Sequence, residues 1–277
     1  MAYDLHVHTT ASDGMLSPIQ VIQDAMLLGL DGIAITDHDT VSGIEPALEY
    51  VKDNNCPMHV IPGIELNTDA GPIEVHILGY FLKWSNPKLL SKLAEIKSAR
   101  LERAVKMVKR LNDMGIEITL LRVKELAKGD LLGRPHVAQA MVEKGYCFSI
   151  KETFDKYIGQ GRPAYVPRYK FLPQEAIDII KDSQGIAVLA HPGLIKNNDL
   201  IARLVNMGID GIEAYYPEHS EIQTEYFVNM AEERGLIVTG GSDFHGSIYD
   251  TKSKLGCVQI DRLLFNKMRM YHERKTS

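Results

Sequence analysis

Short apolar runs alternate with amphipathic stretches along the chain. Runs rich in Val, Ile, Leu and Tyr occupy 3–9, 32–37, 58–66, 73–81, 185–191, 211–216, 236–245 and 255–260, set off by Gly, Asp and Pro. Such punctuation predicts strands. Between them the apolar positions recur at helical spacing. Ser17 and Pro18 ahead of IQVIQDAMLLGL give an N-cap followed by Pro in the first turn, and Gly29 falls near the end. Segments 42–54, 173–184, 197–207, 219–234 and 262–274 read as helices in the same way. Strand and helix in alternation predict an α/β fold with a mostly parallel sheet.

One stretch breaks the alternation. From Asn86 to Tyr157 the sequence is rich in Lys, Arg, Glu and Leu and offers no strand, only helices at 86–113, 121–128, 135–145 and 149–158. This predicts an all-α insertion domain over 85–159, with 1–84 and 160–277 forming the α/β body. The polar tail HERKTS is expected to fray.

The polar residues inside the apolar runs carry the chemistry. In DLHVHT, His6 and His8 are two apart and share one face of a strand, while Leu5 and Val7 face the other way onto covering helices. Paired imidazoles suit a divalent metal, although a lone His-x-His is equally well two polar residues on an edge strand. The other runs remove that parity. AITDHDT ends in Asp37, His38 and Asp39; VIPGIE reaches Glu65; EVHILG carries His76; AVLAHP ends at His191; TGGSDFH ends with Asp243 and His245; and Asp13 follows in the turn TASDG. Ligand-type side chains therefore close nearly every apolar run on one side, the side on which (β/α) barrels place their active sites.

The set DLHVHTTASDG, AITDHDTVSG, GIEL, EVHILGY, LAHPG and GSDFHG resembles the polymerase and histidinol phosphatase (PHP) superfamily over residues 3 to about 260. The resemblance implies a distorted (β/α)7 TIM-like barrel and two to three divalent ions of manganese, iron or zinc. By motif, His6, His8, Glu65 and Asp243 hold the first ion. Glu65, His76 and His191 hold the second, and Asp13, His38 and His245 the third. The insertion, GRPH at 133–136 and YYPEHS at 215–220 resemble the branch that hydrolyses 3′,5′-nucleoside bisphosphates and degrades short RNA from its 5′ end. The expected reaction is attack on a phosphate monoester by a metal-activated hydroxide, with Asp13, His38 and His219 as catalytic residues. Arg134 at a helix start, His219 and Arg162 are expected to bind substrate, with Arg168 a weaker candidate. Asp37 is expected to orient a ligand His from behind; His59, His136 and His272 fit no ligand motif.

Composition narrows the partners. The formal net charge of −5 excludes a broadly basic duplex-binding surface, yet three divalent ions on six neutral imidazoles and three carboxylates would leave the pocket floor locally positive. A small phosphorylated substrate, a nucleotide or a short RNA end, is the expected partner. No apolar run is long enough to span a membrane, and three scattered cysteines argue for a reducing cytoplasm. Oligomeric state is not legible. Three other functions fit parts of the pattern: histidinol-phosphate hydrolysis on the same centre, amide hydrolysis (which usually adds a bridging Lys that these strands lack), and a non-catalytic metal-binding module, in which ligands would have been lost.

Overall fold

A computed structural model describes residues 2–127, 129, 131–246 and 253–276. Seven strands form the body: β1 (Ala2–Val7), β2 (Gly32–Ile35), β3 (His59–Ala70), β4 (Ile73–Tyr80), β5 (Ile186–Leu189), β6 (Gly211–Tyr215) and β7 (Ile237–Gly240). They lie side by side in chain order, and an eighth strand of two residues, β8 (Ile260–Asp261), pairs outside β1. Residues 255–258, expected to belong to that strand, are turn and bend instead.

β1, β2 and β3 run parallel, as do β5, β6 and β7, but β4 runs antiparallel to both its neighbours. The sheet is thus less parallel than expected. The cause is local: Gly71, with φ at 69°, turns the chain straight from β3 into β4 with no crossover helix. The inversion has a consequence for the site. His76 lies near the start of β4, so the reversed strand brings it to the end of the barrel where the other strands finish.

The sheet curls into a nearly closed barrel. The chain beyond β7 lies along β1, with the His8 N–H donating to Phe244 O at 2.9 Å and the Phe244 N–H to His6 O at 3.3 Å. Gly241 permits this approach, because a Cβ there would stand 2.3 Å from His6 N. On the outer face of β1, Val7 joins the apolar cluster of Val21, Ile22 and Ala25 from α1 (Pro18–Leu27). Leu5, expected to face the same way, instead packs with Ala34, Leu78 and Val188 and with Phe265 and Met268 from α10 (Arg262–Thr276), because the register of β1 shifts between Asp4 and Val7. The tail does not fray within the described residues. α10 continues to Thr276 because Asp210, 4% exposed, draws the Lys275 ammonium to 2.6 Å and the Tyr271 hydroxyl to 2.9 Å.

Between β4 and β5 lie α3 (Pro87–Asp113), α4 (Leu120–Leu126), α5 (Arg134–Glu143) and α6 (Ile150–Thr153), the last running into a π-helical turn over Phe154–Ile158. The first half of α3 packs through Leu89, Leu93 and Ile96 into the barrel's cluster, but its second half and the other helices make a cluster of their own, including Met107, Leu111, Val123, Val137, Met141 and Ile158. We propose that 85–159 is an insertion domain on this basis. Leu111, fully buried there, tests it: Leu111→Ala should cost about 2–5 kcal/mol. Hydrogen exchange should register that loss in α3–α5 while β1, β2 and β7 keep their protection; equal loss in both would mean one cooperative unit.

Candidate metal centre and anion pocket

Glu65 lies at the centre of the barrel mouth and is fully buried. Its Oε2 is 2.8 Å from His38 Nδ1 and 3.3 Å from the Nε2 atoms of His6 and His8. Its Oε1 is 2.8 Å from His76 Nδ1 and 3.0 Å from His191 Nε2. One carboxylate therefore faces two separate sets of imidazoles. Asp243 Oδ1 approaches the same His6 and His8 nitrogens at 3.2 and 3.1 Å, and His245 Nε2 lies 3.4 Å from Asp13 Oδ1.

Three groups emerge whose donor atoms all lie within 4.8 Å of one another: His6, His8, Glu65 and Asp243; His38, Glu65 and His76; and His8, Asp13, His38 and His245. Eight of the nine residues expected as ligands from sequence fall in these groups, and His191 stands outside them with its Nε2 on Glu65 Oε1. The grouping differs in detail, since His38 stands between the second and third sets and His8 between the first and third.

The pattern of hydrogen bonds tests whether a cation fits. Several rings donate from the nitrogen that faces away from the centre. His6 Nδ1 is 2.9 Å from Glu213 Oε1, His76 Nε2 is 3.2 Å from Glu74 Oε1, and His245 Nδ1 is 2.9 Å from Asp243 O. An oxygen acceptor there holds the proton on the outer nitrogen and leaves the inner one as a bare lone pair. Two inner atoms, His76 Nδ1 and His191 Nε2, share Glu65 Oε1 at 2.8 and 3.0 Å, and the rest find no hydrogen bond. His6 Nε2, His8 Nε2, His38 Nδ1, Glu65 Oε2 and Asp13 Oδ1 are all buried and unpartnered. Buried polar atoms left unpaired are costly, and lone pairs facing one another in a sealed site suit a divalent cation.

The electrostatics show how tightly the acids and imidazoles are coupled, with protons occupying the positions a cation would take. Burial would raise the Glu65 carboxyl, but the surrounding imidazoles, His38 foremost, hold it well below the usual range. Burial would likewise lower His76 and His245, and the carboxylates Glu65 and Asp13 instead bring each up to about 10. Three of the seven non-glycine residues with positive φ among the described residues lie at the centre or its rim: His191, Asp243 and Asp39, with φ of 28°, 53° and 49°. Left-handed backbone at non-Gly residues is retained where surroundings impose it. At His191, Glu213 helps impose it, accepting the His191 N–H at 2.8 Å.

Other expectations need correcting. His219 has no nitrogen free for substrate: its Nδ1–H donates to Ala214 O at 2.9 Å and its Nε2 accepts the Gly193 N–H at 3.1 Å. It braces the loop after His191. Asp37 does not orient a histidine. Its carboxylate accepts from the Thr9 N–H and from the Thr9 and Ser12 hydroxyls at 2.6–2.8 Å, which fixes the turn leading to Asp13. Arg162 is exposed and lies off the pocket, whereas Arg134 and Arg168 line it.

That pocket opens beside the centre and is bounded by Asp13, His38 and His76 on one side and by Arg100, Arg103, Arg134 and Arg168 on the other. Arg100 of α3 pairs with Asp39, tying the helix to the barrel rim. Glu213, Asp4, Arg100 and Arg103 are the residues that sequence reasoning missed. Buried Asp4 anchors the β1–β7 seam by accepting the Ser242 N–H, at 2.8 Å.

Residues 4–238 match the PHP domain family. The chain belongs to the PHP family. Its relatives include the Escherichia coli K12 protein named 5′-3′ exoribonuclease Rnm, 35% identical over 248 residues, covering 88% of this chain and 85% of that protein. They also include the Chromobacterium violaceum protein named 3′,5′-nucleoside bisphosphate phosphatase, 32% identical, covering 87% and 86% respectively. A crystal structure from Bifidobacterium adolescentis, presented as a metal-dependent phosphoesterase, superposes with a TM-score of 0.86 at 29% identity, covering 97% of this chain and 95% of that one. This PHP protein is a metal-dependent phosphoesterase. No helix among the described residues is long and apolar enough to cross a membrane.

Glu213 stands behind His6 and His191 and acts through them. Glu213→Gln should weaken metal affinity about 10- to 100-fold in calorimetric titration, with circular dichroism unchanged. Unaltered affinity would remove Glu213 from any role in the centre.

Proposed function

We propose that the protein removes the 3′-phosphate of 3′,5′-nucleoside bisphosphates and also acts on short 5′-phosphorylated RNA. In this reading His6, His8, Asp13, His38, Glu65, His76, His191, Asp243 and His245 hold two to three divalent ions of manganese, iron or zinc. The observation that carries it is the junction of the unpartnered buried donors with an arginine-lined pocket. When bound, such ions supply a water of lowered pKa as nucleophile and neutralise charge that builds on the phosphate oxygens.

The chain's residues do the rest. Glu65, with an oxygen toward each set of imidazoles, sets the spacing of the centre. Asp13 and His38 line both the donor cluster and the pocket, so they face the phosphate to be cleaved. Arg134 and Arg168 approach from the far wall and orient the substrate through charge-assisted hydrogen bonds. α3 and α5 of the insertion roof the pocket through Arg100, Arg103 and Arg134, which selects a small or single-stranded substrate over a duplex. Three cysteines scattered along the chain accord with a cytoplasmic protein.

Phosphate release from adenosine 3′,5′-bisphosphate, 5′-AMP, histidinol phosphate and short 5′-phosphorylated RNA, with added manganese, tests the assignment. The bisphosphate should be cleaved best, and chelation should abolish release. Release from histidinol phosphate alone would overturn the choice of substrate, and His38→Ala with undiminished metal content and activity would overturn the ligand set.

A further inference from the structure

The pocket arginines are unevenly matched. Arg100 has Asp39, and Arg168 has Asp69, whose carboxylate takes both its Nε and Nη2 at 2.7 and 2.6 Å. Glu74 reaches in between the other cations. Its Oε1 accepts from Arg168 Nη1 at 2.6 Å, and its Oε2 lies 3.4 Å from Arg134 Nη2. Arg103 lines the same pocket and has no carboxylate partner among the described residues. Its Nε donates to Val166 O at 2.8 Å, and its guanidinium carbon stands 5.9 Å from the Tyr165 ring centre. Burial, together with the nearby charges of Arg134 and Arg100, brings its pKa down to about 10. A half-buried guanidinium crowded by like charges is a seat for an anion that the chain itself does not supply.

We propose that Glu74 holds the seat of a second, substrate-borne phosphate between Arg134 and Arg168, and that Arg103 receives that phosphate when Glu74 turns away. Glu74 is the pocket's movable anion: its side chain is 44% exposed, against 2% for Asp39 and 24% for Asp69. With Glu74 withdrawn, Arg103 and Arg134 are left without a carboxylate, and their combined charge matches a phosphate monoester dianion. Glu74 also accepts from His76 Nε2 at 3.2 Å, so as it leaves the arginines it keeps a partner on the ligand side. The inference deepens the proposed function and rests on it: a substrate with one phosphate at the metal centre would carry its other phosphate here. It also gives the insertion a task, because Arg103 and Arg134 both stand on insertion helices.

The variants Arg103→Gln and Glu74→Gln should move discrimination in opposite directions. The readout is the KM for adenosine 3′,5′-bisphosphate divided by that for adenosine 3′-monophosphate, which lacks the second phosphate. Arg103→Gln should raise this ratio about tenfold or more, as expected for loss of a charge-assisted contact. Glu74→Gln should lower it about three- to tenfold. A role for Glu74 confined to orienting His76 would alter kcat on both substrates and leave the ratio unchanged, and that result would overturn the proposal. Calorimetric binding of adenosine 5′-monophosphate to the metal-replete variants separates the two readings. If neither substrate is cleaved but affinity falls in Arg103→Gln and rises in Glu74→Gln, the functional assignment fails and the phosphate seat stands. If the bisphosphate is cleaved and neither the ratio nor the affinity moves, the seat fails and the assignment stands.

Discussion

A single buried carboxylate organises the protein. Glu65 sits at 0% exposure with five imidazoles drawn onto its two oxygens, and no bulk water reaches it. Packing this many polar atoms in a dry barrel mouth is unfavourable unless something satisfies them together. Other features serve that cluster. Glu213 and Glu74 fix ring orientations from behind, Asp4 pins the seam between β1 and β7, and the strained backbone at His191 and Asp243 points those side chains inward. The glycine at 241 belongs to the same constraint, since only without a Cβ can the chain close the barrel against His6.

The insertion supplies what the barrel cannot. Barrel strands deliver imidazoles and carboxylates, whereas all but one of the pocket arginines come from α3 and α5. This division resolves how a chain of net charge −5 handles an anionic substrate. The positive potential is not spread over the surface but confined to one recess, where guanidinium groups face the metal-ligating cluster. The Arg100–Asp39 pair fastens the two parts together one residue from His38. Movement of the insertion would thus be felt at the centre through a direct contact.

Much of this was legible in the sequence because strand periodicity is strict. His6 and His8 had to share a face, and polar residues closing apolar runs had few other reasons to exist. The same reasoning would have found Glu213, a lone acid in the apolar run GIEAYY, but not Asp4, because the register of β1 shifts between Asp4 and Val7 and breaks the alternation. Arg100 and Arg103 were hidden for a different reason. On a long helix rich in Lys, Arg and Glu, a pocket cation looks like any solvated charge, and only tertiary placement separates them. His219 misled because a histidine after a strand end reads as chemistry, while its two backbone partners become visible only once the chain folds. The antiparallel β4 was likewise unreadable, since an apolar run has no direction until its connection is known.

On the proposed reading Glu65 would help to hold divalent cations rather than merely stabilise protonated histidines. Elemental analysis of the purified protein beside Glu65→Gln, after dialysis against manganese, tests this most directly. The native protein should hold at least two ions tightly per chain, and the variant should lose most of them with the barrel still folded by circular dichroism. Equal metal content in the two, or a native protein that retains no metal, would contradict that reading.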